Sequence, residues 1–194
     1  MSRRSWQALT LLPATLCAGY VTGVFGDWAT TVMPALGNTD DRTYIAVLQD
    51  LNDAILNNPL FMPAFMGGLI LSGIAAALLL RDGDGTHPAL PWAAAAFGLQ
   101  LAGTFITMGV HEPLNEIIRS AGNPADIADP TALRDSFHET RWVIWHTVRT
   151  AATAAAFGCL AWALVLHGRV DAGGTPGRTS HDQANPRPTT LTNH

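Results

Sequence analysis

The sequence predicts an all-α integral membrane protein: a four-helix bundle of membrane spans with an extra amphipathic helix between spans one and two. Three observations carry that prediction. The 194 residues are 48% hydrophobic but only 13% charged, against roughly 25% charged in ordinary soluble domains. Four apolar stretches, about residues 9–36, 60–80, 90–110 and 142–166, each reach the ~20 residues that a helix needs to cross a bilayer. The segment 43–57 sets Tyr44, Val47, Leu48, Leu51 and Ile55 against Gln49, Asp50, Asn52 and Asp53, an apolar stripe at helical spacing. The net charge of −4 comes with no basic patch that would suit nucleic acid. All eleven basic residues are arginine.

Span one follows Arg3 and Arg4 and is read as retained. Its apolar run is long, and Leu16 is too large for the cleavage position ahead of Cys17. Asn38-Thr39-Asp40 offers an N-cap for the amphipathic helix, and Asn57-Asn58-Pro59 reads as its stop. Span two carries the small-residue pairs Gly68/Ser72 and Gly73/Ala77, and span one the pair Gly19/Gly23, which allow close helix packing in lipid. Span three is expected to continue past His111 to Ile118, kinked at Pro113. A long fourth helix is expected to start at Asp129 or Thr131 and to run through the Ala-rich stretch to Leu166. Residues 1–170 form the bundle on this reading, and 171–194, rich in Gly, Pro, Thr and Asn, a disordered cytoplasmic tail. Arg3, Arg4, Arg81 and Arg169 fall on one side and Arg42, Arg119, Arg134 and Arg141 on the other. That bias favours a cell-membrane protein with both termini in the cytoplasm. Cys17 and Cys159 lie inside spans and read as single buried thiols.

The polar residues within or beside the spans need a reason. At 100° per residue His138, Trp142, Trp145, His146 and Arg149 share about 100° of one helix face. An arginine at bilayer depth costs at least ~2.5 kcal/mol on insertion scales. Asp27, Asn52, His111, Glu112 and Asn115 belong to the same half of the bundle. Plainer readings stay open: Trp142 and Trp145 as interfacial aromatics, Arg149 snorkelling to the interface, His146 as a satisfied core residue. A metal site is a weaker candidate. His111, His146 and Glu112 or Asn115 could supply ligands, but no HxxxH or HExxH pair occurs. His138 and His146, ~12 Å apart along a helix, cannot share an ion.

Several of these pieces, in this order, resemble the anthrone oxygenase family of small four-span membrane proteins. They are Val32-Met33-Pro34-Ala35-Leu36, then Leu48-Gln49-Asp50-Leu51-Asn52-Asp53-Ala54-Ile55 leading to Asn58-Pro59-Leu60-Phe61, then Pro113-Leu114-Asn115, then Trp142 through Trp145 to Val148-Arg149-Thr150. The resemblance spans about residues 18 to 168. Two positions depart from the family pattern: His111 and His146 stand where asparagine is expected, as though one polar pair had changed together. The resemblance implies oxidation of a lipophilic polycyclic anthrone to a quinone with O2, in secondary metabolism, with no cofactor expected.

The residues can be fitted to that chemistry. An anthrone CH2 is acidic, and its enolate is electron-rich enough to react with O2 directly. The site then needs a base, which His146 or His111 supplies near neutral pH. It needs a cation for the anion, which Arg149 supplies. Trp142 and Trp145 would stack on the rings and Asn115 and Asn52 bond the oxygens. The competing readings are a non-catalytic binding or transport-type bundle for a small lipophilic or anionic ligand, and a structural membrane protein whose polar stripe only locks helices.

Overall fold

A computed structural model describes residues 3–82 and 86–173, with side chains through 169. All regular secondary structure is helical, with no strand among the described residues. Helix α1 (Arg3–Asp27) runs through a π-turn at Trp28–Val32 into the short α2 (Met33–Leu36). The amphipathic α3 (Asp41–Leu56) and α4 (Phe61–Leu80) follow. Helix α5 (Leu90–Ile106) passes through a second π-turn, Thr107–His111, into α6 (Glu112–Arg119). After a short 3-10 turn come α7 (Pro130–Ser136) and α8 (Glu139–Gly173). Four continuous helical stretches are long and apolar enough to cross a membrane: Arg3–Leu36, Phe61–Leu80, Leu90–Arg119 and Glu139–Arg169. Helix α1 packs on α4 and α8, and α5 packs on the same two, so the spans close into a four-membered ring.

Small residues set the spacing within that ring. Ala14, Ala18, Ala75, Ala93, Ala96, Ala156 and Ala163 are fully or almost fully buried and meet Leu11, Leu79 and Leu160 in one core. Gly68 marks the closest approach. A Cβ there would stand 2.6 Å from Gln100 Oε1 and 3.4 Å from the Cys17 side chain. Gly19 accepts the Phe157 ring in the same way, with 3.0 Å to its edge, whereas Gly23 faces open space. Both cysteines are free thiols.

One end of the bundle is capped. Asp40 accepts a hydrogen bond from the Thr43 amide at 3.1 Å and starts α3. Asn57 ends it, and Asn58 accepts from the Leu60 and Phe61 amides to start α4. The apolar stripe of α3 (Tyr44, Ile45, Leu48) joins Met33, Leu36, Leu114, Ile118, Phe137 and Trp142 in a second core. Gln49 donates to the Ile118 carbonyl at 2.7 Å and to that of Gly122 at 3.1 Å. Arg42 donates to the carbonyls of Pro124 and Ile127. Arg134 binds Asp41 and Glu139 and lies over the Tyr44 ring at 4.0 Å. Helix α3 and the segment 120–137 are thus clamped together over the bundle end.

One expectation is corrected. The fourth helix does not run unbroken from Asp129. Asp129 caps α7 by accepting from the Ala132 amide at 3.0 Å, but the chain then breaks at His138, whose φ is +52°. The break lets Phe137 bury completely against Tyr44 and Trp142. It also leaves His138 exposed and off the α8 stripe. Span three continues through a π-turn, Thr107–His111, to Arg119. Proline has no N–H and its ring clashes with the carbonyl four residues back in an α-helix. A wider turn ahead of Pro113, and another ahead of Pro34, takes up that misfit. Helix α8 extends to Gly173, and the rest of the expected disordered tail lies outside the described residues.

The cap is pH-sensitive. Hydrogen bonds from Thr131 and then Arg134 hold the Asp41 carboxyl below the ordinary carboxylate range. A lowered folded-state pKa stabilises above the unfolded value of ~3.9 and is lost as pH falls through the folded value. Asp41→Asn is therefore expected to speed hydrogen exchange of α7 amides at pH 7. The variant and the parent should converge once the pH drops well below ~3.9; a difference that persists there would show that charge is not the cause.

Candidate active site

Beneath the cap lies a cavity of about 130 Å³. Its walls come from α1, α3, α4, α5–α6 and α8. Phe25, Trp28, Phe61, Phe65 and Trp142 make it aromatic, and Ile55, Leu56 and Met62, from the end of α3 and the start of α4, add an apolar side. Asn52, Thr107, His111, Asn115, Arg149, Glu112 and Arg119 are its polar lining. Leu56 is 43% and Met62 39% exposed, so on that side the cavity wall reaches the apolar surface of the bundle. Glu112 and Arg119 are ion-paired at the rim, and Glu116 shares Arg119.

The second π-turn aims one row of this lining. Residues four apart in a regular α-helix drift by about 40°. A single wide turn reduces that drift, and Thr107, His111, Asn115 and Arg119 all reach the same cavity.

Arg149 is 7% exposed and points into the bundle rather than snorkelling outward. One Nη donates to Thr107 Oγ1 at 2.9 Å and the other meets His146 Nδ1 at 3.0 Å. Its guanidinium lies 4.1 Å from the centre of the Phe25 ring. Its Nε has no partner. No carboxylate pairs with it among the described residues. The acid in the same cavity, Glu112, is taken by Arg119. A buried cation without a counter-ion carries a desolvation penalty of several kcal/mol, so the cavity is electrostatically poised for an anion.

The two histidines differ. His146 Nε2 stands 2.9 Å from the Phe25 carbonyl oxygen. A carbonyl only accepts, so Nε2 carries the proton and Nδ1 presents a lone pair to Arg149. Both ring nitrogens are thereby used. His146 stacks on Trp142 at 4.6 Å and 11° and does not line the cavity. In this geometry His146 has no free ring nitrogen for the expected base and sits against Arg149. His111 Nδ1 meets the Ile106 carbonyl at 3.4 Å, which leaves the Nε2 lone pair free. That Nε2 is buried, has no hydrogen-bond partner, and belongs to a residue lining the cavity. The His111 and His146 rings lie 5.8 Å apart, so the two departures from the family pattern are neighbours in space.

The expected ring-stacking and amide residues also separate. Trp142 is buried on the cavity wall, and its Nε1 donates to Asn115 Oδ1 at 2.8 Å. That bond leaves the Asn115 amide NH2 for a ligand. Asn52 is buried with its Nδ2 unpartnered. Trp145 is 39% exposed and lines a surface groove with His138 and Ile144. It is corrected from ring-stacking partner to perimeter residue: it sits about 60° around the helix from Trp142, past the edge of the inward face. Asp27 is exposed too. Phe25, Trp28, Phe61, Phe65 and Thr107 were not anticipated. Their signals were weak but present: Ala14, Ala18, Val21 and Phe25 form one buried helical stripe, Phe61 and Phe65 are one turn apart, and Thr107 is one turn before His111.

No group of three or more metal-ligating His, Cys, Asp or Glu side chains occurs among the described residues. Fold and site together define a multi-pass membrane bundle holding an aromatic cavity with an enclosed cation. The chain belongs to the anthrone oxygenase family, whose sequence profile matches residues 60–159. No curated protein and no solved structure matches the chain.

Proposed function

We propose that the protein is a membrane-embedded oxygenase acting on a lipophilic phenolic aromatic of the anthrone type, with O2 as co-substrate and no bound cofactor. The observation that carries this is Arg149: a buried cation held only by neutral groups, beside an unpartnered imidazole nitrogen in an aromatic cavity. In the proposed reaction His111 Nε2 takes the acidic proton of the substrate, from the CH2 of an anthrone-type keto form or the O–H of its phenol tautomer. The resulting enolate oxygen sits against Arg149, which favours the charged form in a low-dielectric site. The enolate gives electrons to O2, and a C–O bond forms at the former CH2 carbon to give a hydroperoxide. Loss of the second C–H proton with cleavage of the O–O bond leaves a carbonyl and releases water. In balance, one methylene group and one O2 give one ketone carbonyl and one water.

Asn115 and Asn52 would bond the phenol or carbonyl oxygens through their free amide groups. Trp142 and Phe65 would flank the rings. The apolar side at Leu56 and Met62 suits a substrate that partitions into the bilayer first. The unpartnered His111 Nε2 favours this reading over a binding or transport role, which needs no base. We place the protein in the cell membrane with both termini in the cytoplasm, on the distribution of arginines.

The test uses protein in detergent or nanodiscs, with anthrone and its two-ring counterpart 1-naphthol under air. Quinone should form faster than with the buffer blank. Prior dialysis against a chelator should leave the rate unchanged. A rate equal to autoxidation with both compounds would reject the oxygenase reading, and a rate abolished by chelation and restored by one metal would reject its cofactor-free form.

A further inference from the structure

Phe65 faces two spaces at once. It lines the main cavity, and it also lines a separate gap of about 10 Å³ beside Val21, Gln100, Gly103, Thr104 and Thr153. The ring therefore acts as the wall between them. It is held there by Phe61, stacked at 6.0 Å and 12°, and by Phe25 at 6.2 Å. Beyond the wall, Gln100 Nε2 is buried without a hydrogen-bond partner. On the near side, the 130 Å³ available is close to the ~150 Å³ of an engineered apolar cavity that binds benzene. One aromatic ring fills it.

From this we propose that Phe65 sets substrate size: the wild-type site takes a ligand one ring deep, and the ring that enters is the one that reacts. The proposal rests on the reading above that Arg149 holds a phenolate or enolate oxygen. Its consequence concerns the shape of the substrate. In 1-naphthol the oxygen-bearing ring is terminal, so it reaches Arg149 while the second ring lies on the apolar side toward Leu56 and Met62. In anthrone the oxygen-bearing ring is central and flanked on both sides. That ring cannot go deep unless a flanking ring passes Phe65. The preferred substrate class is then mono- and bicyclic phenols with a free para carbon, ahead of linear tricycles. Removing the Phe65 ring joins the two spaces and brings Gln100 Nε2 within reach of a ligand as a second polar anchor.

The experiment is equilibrium binding by calorimetry in nanodiscs, with 1-naphthol and anthrone titrated into wild type, Phe65→Ala and the milder Phe65→Leu. Binding of both ligands to empty nanodiscs is subtracted. Wild type is expected to bind 1-naphthol at least about ten-fold more tightly than anthrone, since a rejected ring costs more than the 1.4 kcal/mol that a factor of ten represents. Phe65→Ala should erase or reverse that ratio, and Phe65→Leu should shift it the same way by less. Equal affinities in wild type, or a ratio that neither variant changes, overturns the proposal. Arg149→Met separates this from the oxygenase reading. If both ligands bind the variant as they bind wild type, Arg149 holds no anion and the oxygenase reading fails, whereas the wild-type ratio still decides the question of depth.

Discussion

Arg149→Met is expected to lower kcat/KM for quinone formation by at least about 100-fold, the usual consequence of removing a donor aimed at developing negative charge. It should do so without lowering the melting temperature. Methionine is apolar and of comparable length, and replacing a buried uncompensated charge by a packed apolar side chain is often neutral or stabilising. The combination distinguishes a functional cation from a structural one. If Arg149 only ties α8 to the π-turn after α5 through Thr107 at 2.9 Å, stability and activity should fall together. Arg149→Lys should recover only part of the loss. A single ammonium cannot hold Thr107 and His146 from opposite arms while lying flat over Phe25. Activity of the methionine variant within a few-fold of wild type would falsify the assignment.

His111→Gln is expected to cost between about 100- and 10,000-fold in turnover, the range for loss of a positioned general base. In the smaller variant His111→Gly, which vacates the space of the ring itself beside the cavity, added imidazole should restore part of it. His146→Asn should act differently. Its ring accepts from Arg149 and donates to the Phe25 carbonyl, so losing it lets the guanidinium tilt. The expected effect is a smaller drop, roughly ten-fold, with no rescue by imidazole. Initial rates with and without imidazole, with bound ligand measured in parallel, separate the two histidines. Equal losses with equal rescue would mean that His146 is also a base and that the tautomer argument is wrong.

The frame of this protein was legible because each span is long, apolar and bounded by polar residues, and because α3 carries its stripe and its Asp40 cap in consecutive sequence. The convergence of His111, Asn115, Asn52, Trp142 and Arg149 on one cavity was also within reach, since spans one and three end on the same side as the start of span four. What sequence could not supply was direction at fine scale. Helical-wheel arithmetic puts Trp145 within the stripe, but which part of a face turns inward is decided by the neighbours, and here Phe25 and Trp28 occupy the side toward Trp142 and His146. The role of His146 depends on a carbonyl 121 residues earlier in the chain. The aromatic wall formed by Phe61 and Phe65 reads in sequence as ordinary span residues, because lipid-facing and cavity-facing phenylalanines look alike. The break at His138 was hidden by a pattern that stays helical on either side of it.

The two wide turns carry a consequence of their own. Each holds one residue more than a regular helix would use over the same rise, and each stands immediately before the segment that carries a proline. Rewinding the same residues as an ordinary α-helix would swing everything beyond the turn by about 100°, turning Asn115 and Arg119 away from Thr107 while changing none of their identities. The aim of this site is thus written partly in the winding of one helical turn. The wide turn absorbs the residue for which a regular helix has no room, so the span beyond it keeps one facing from Thr107 to Arg119 although the count has changed.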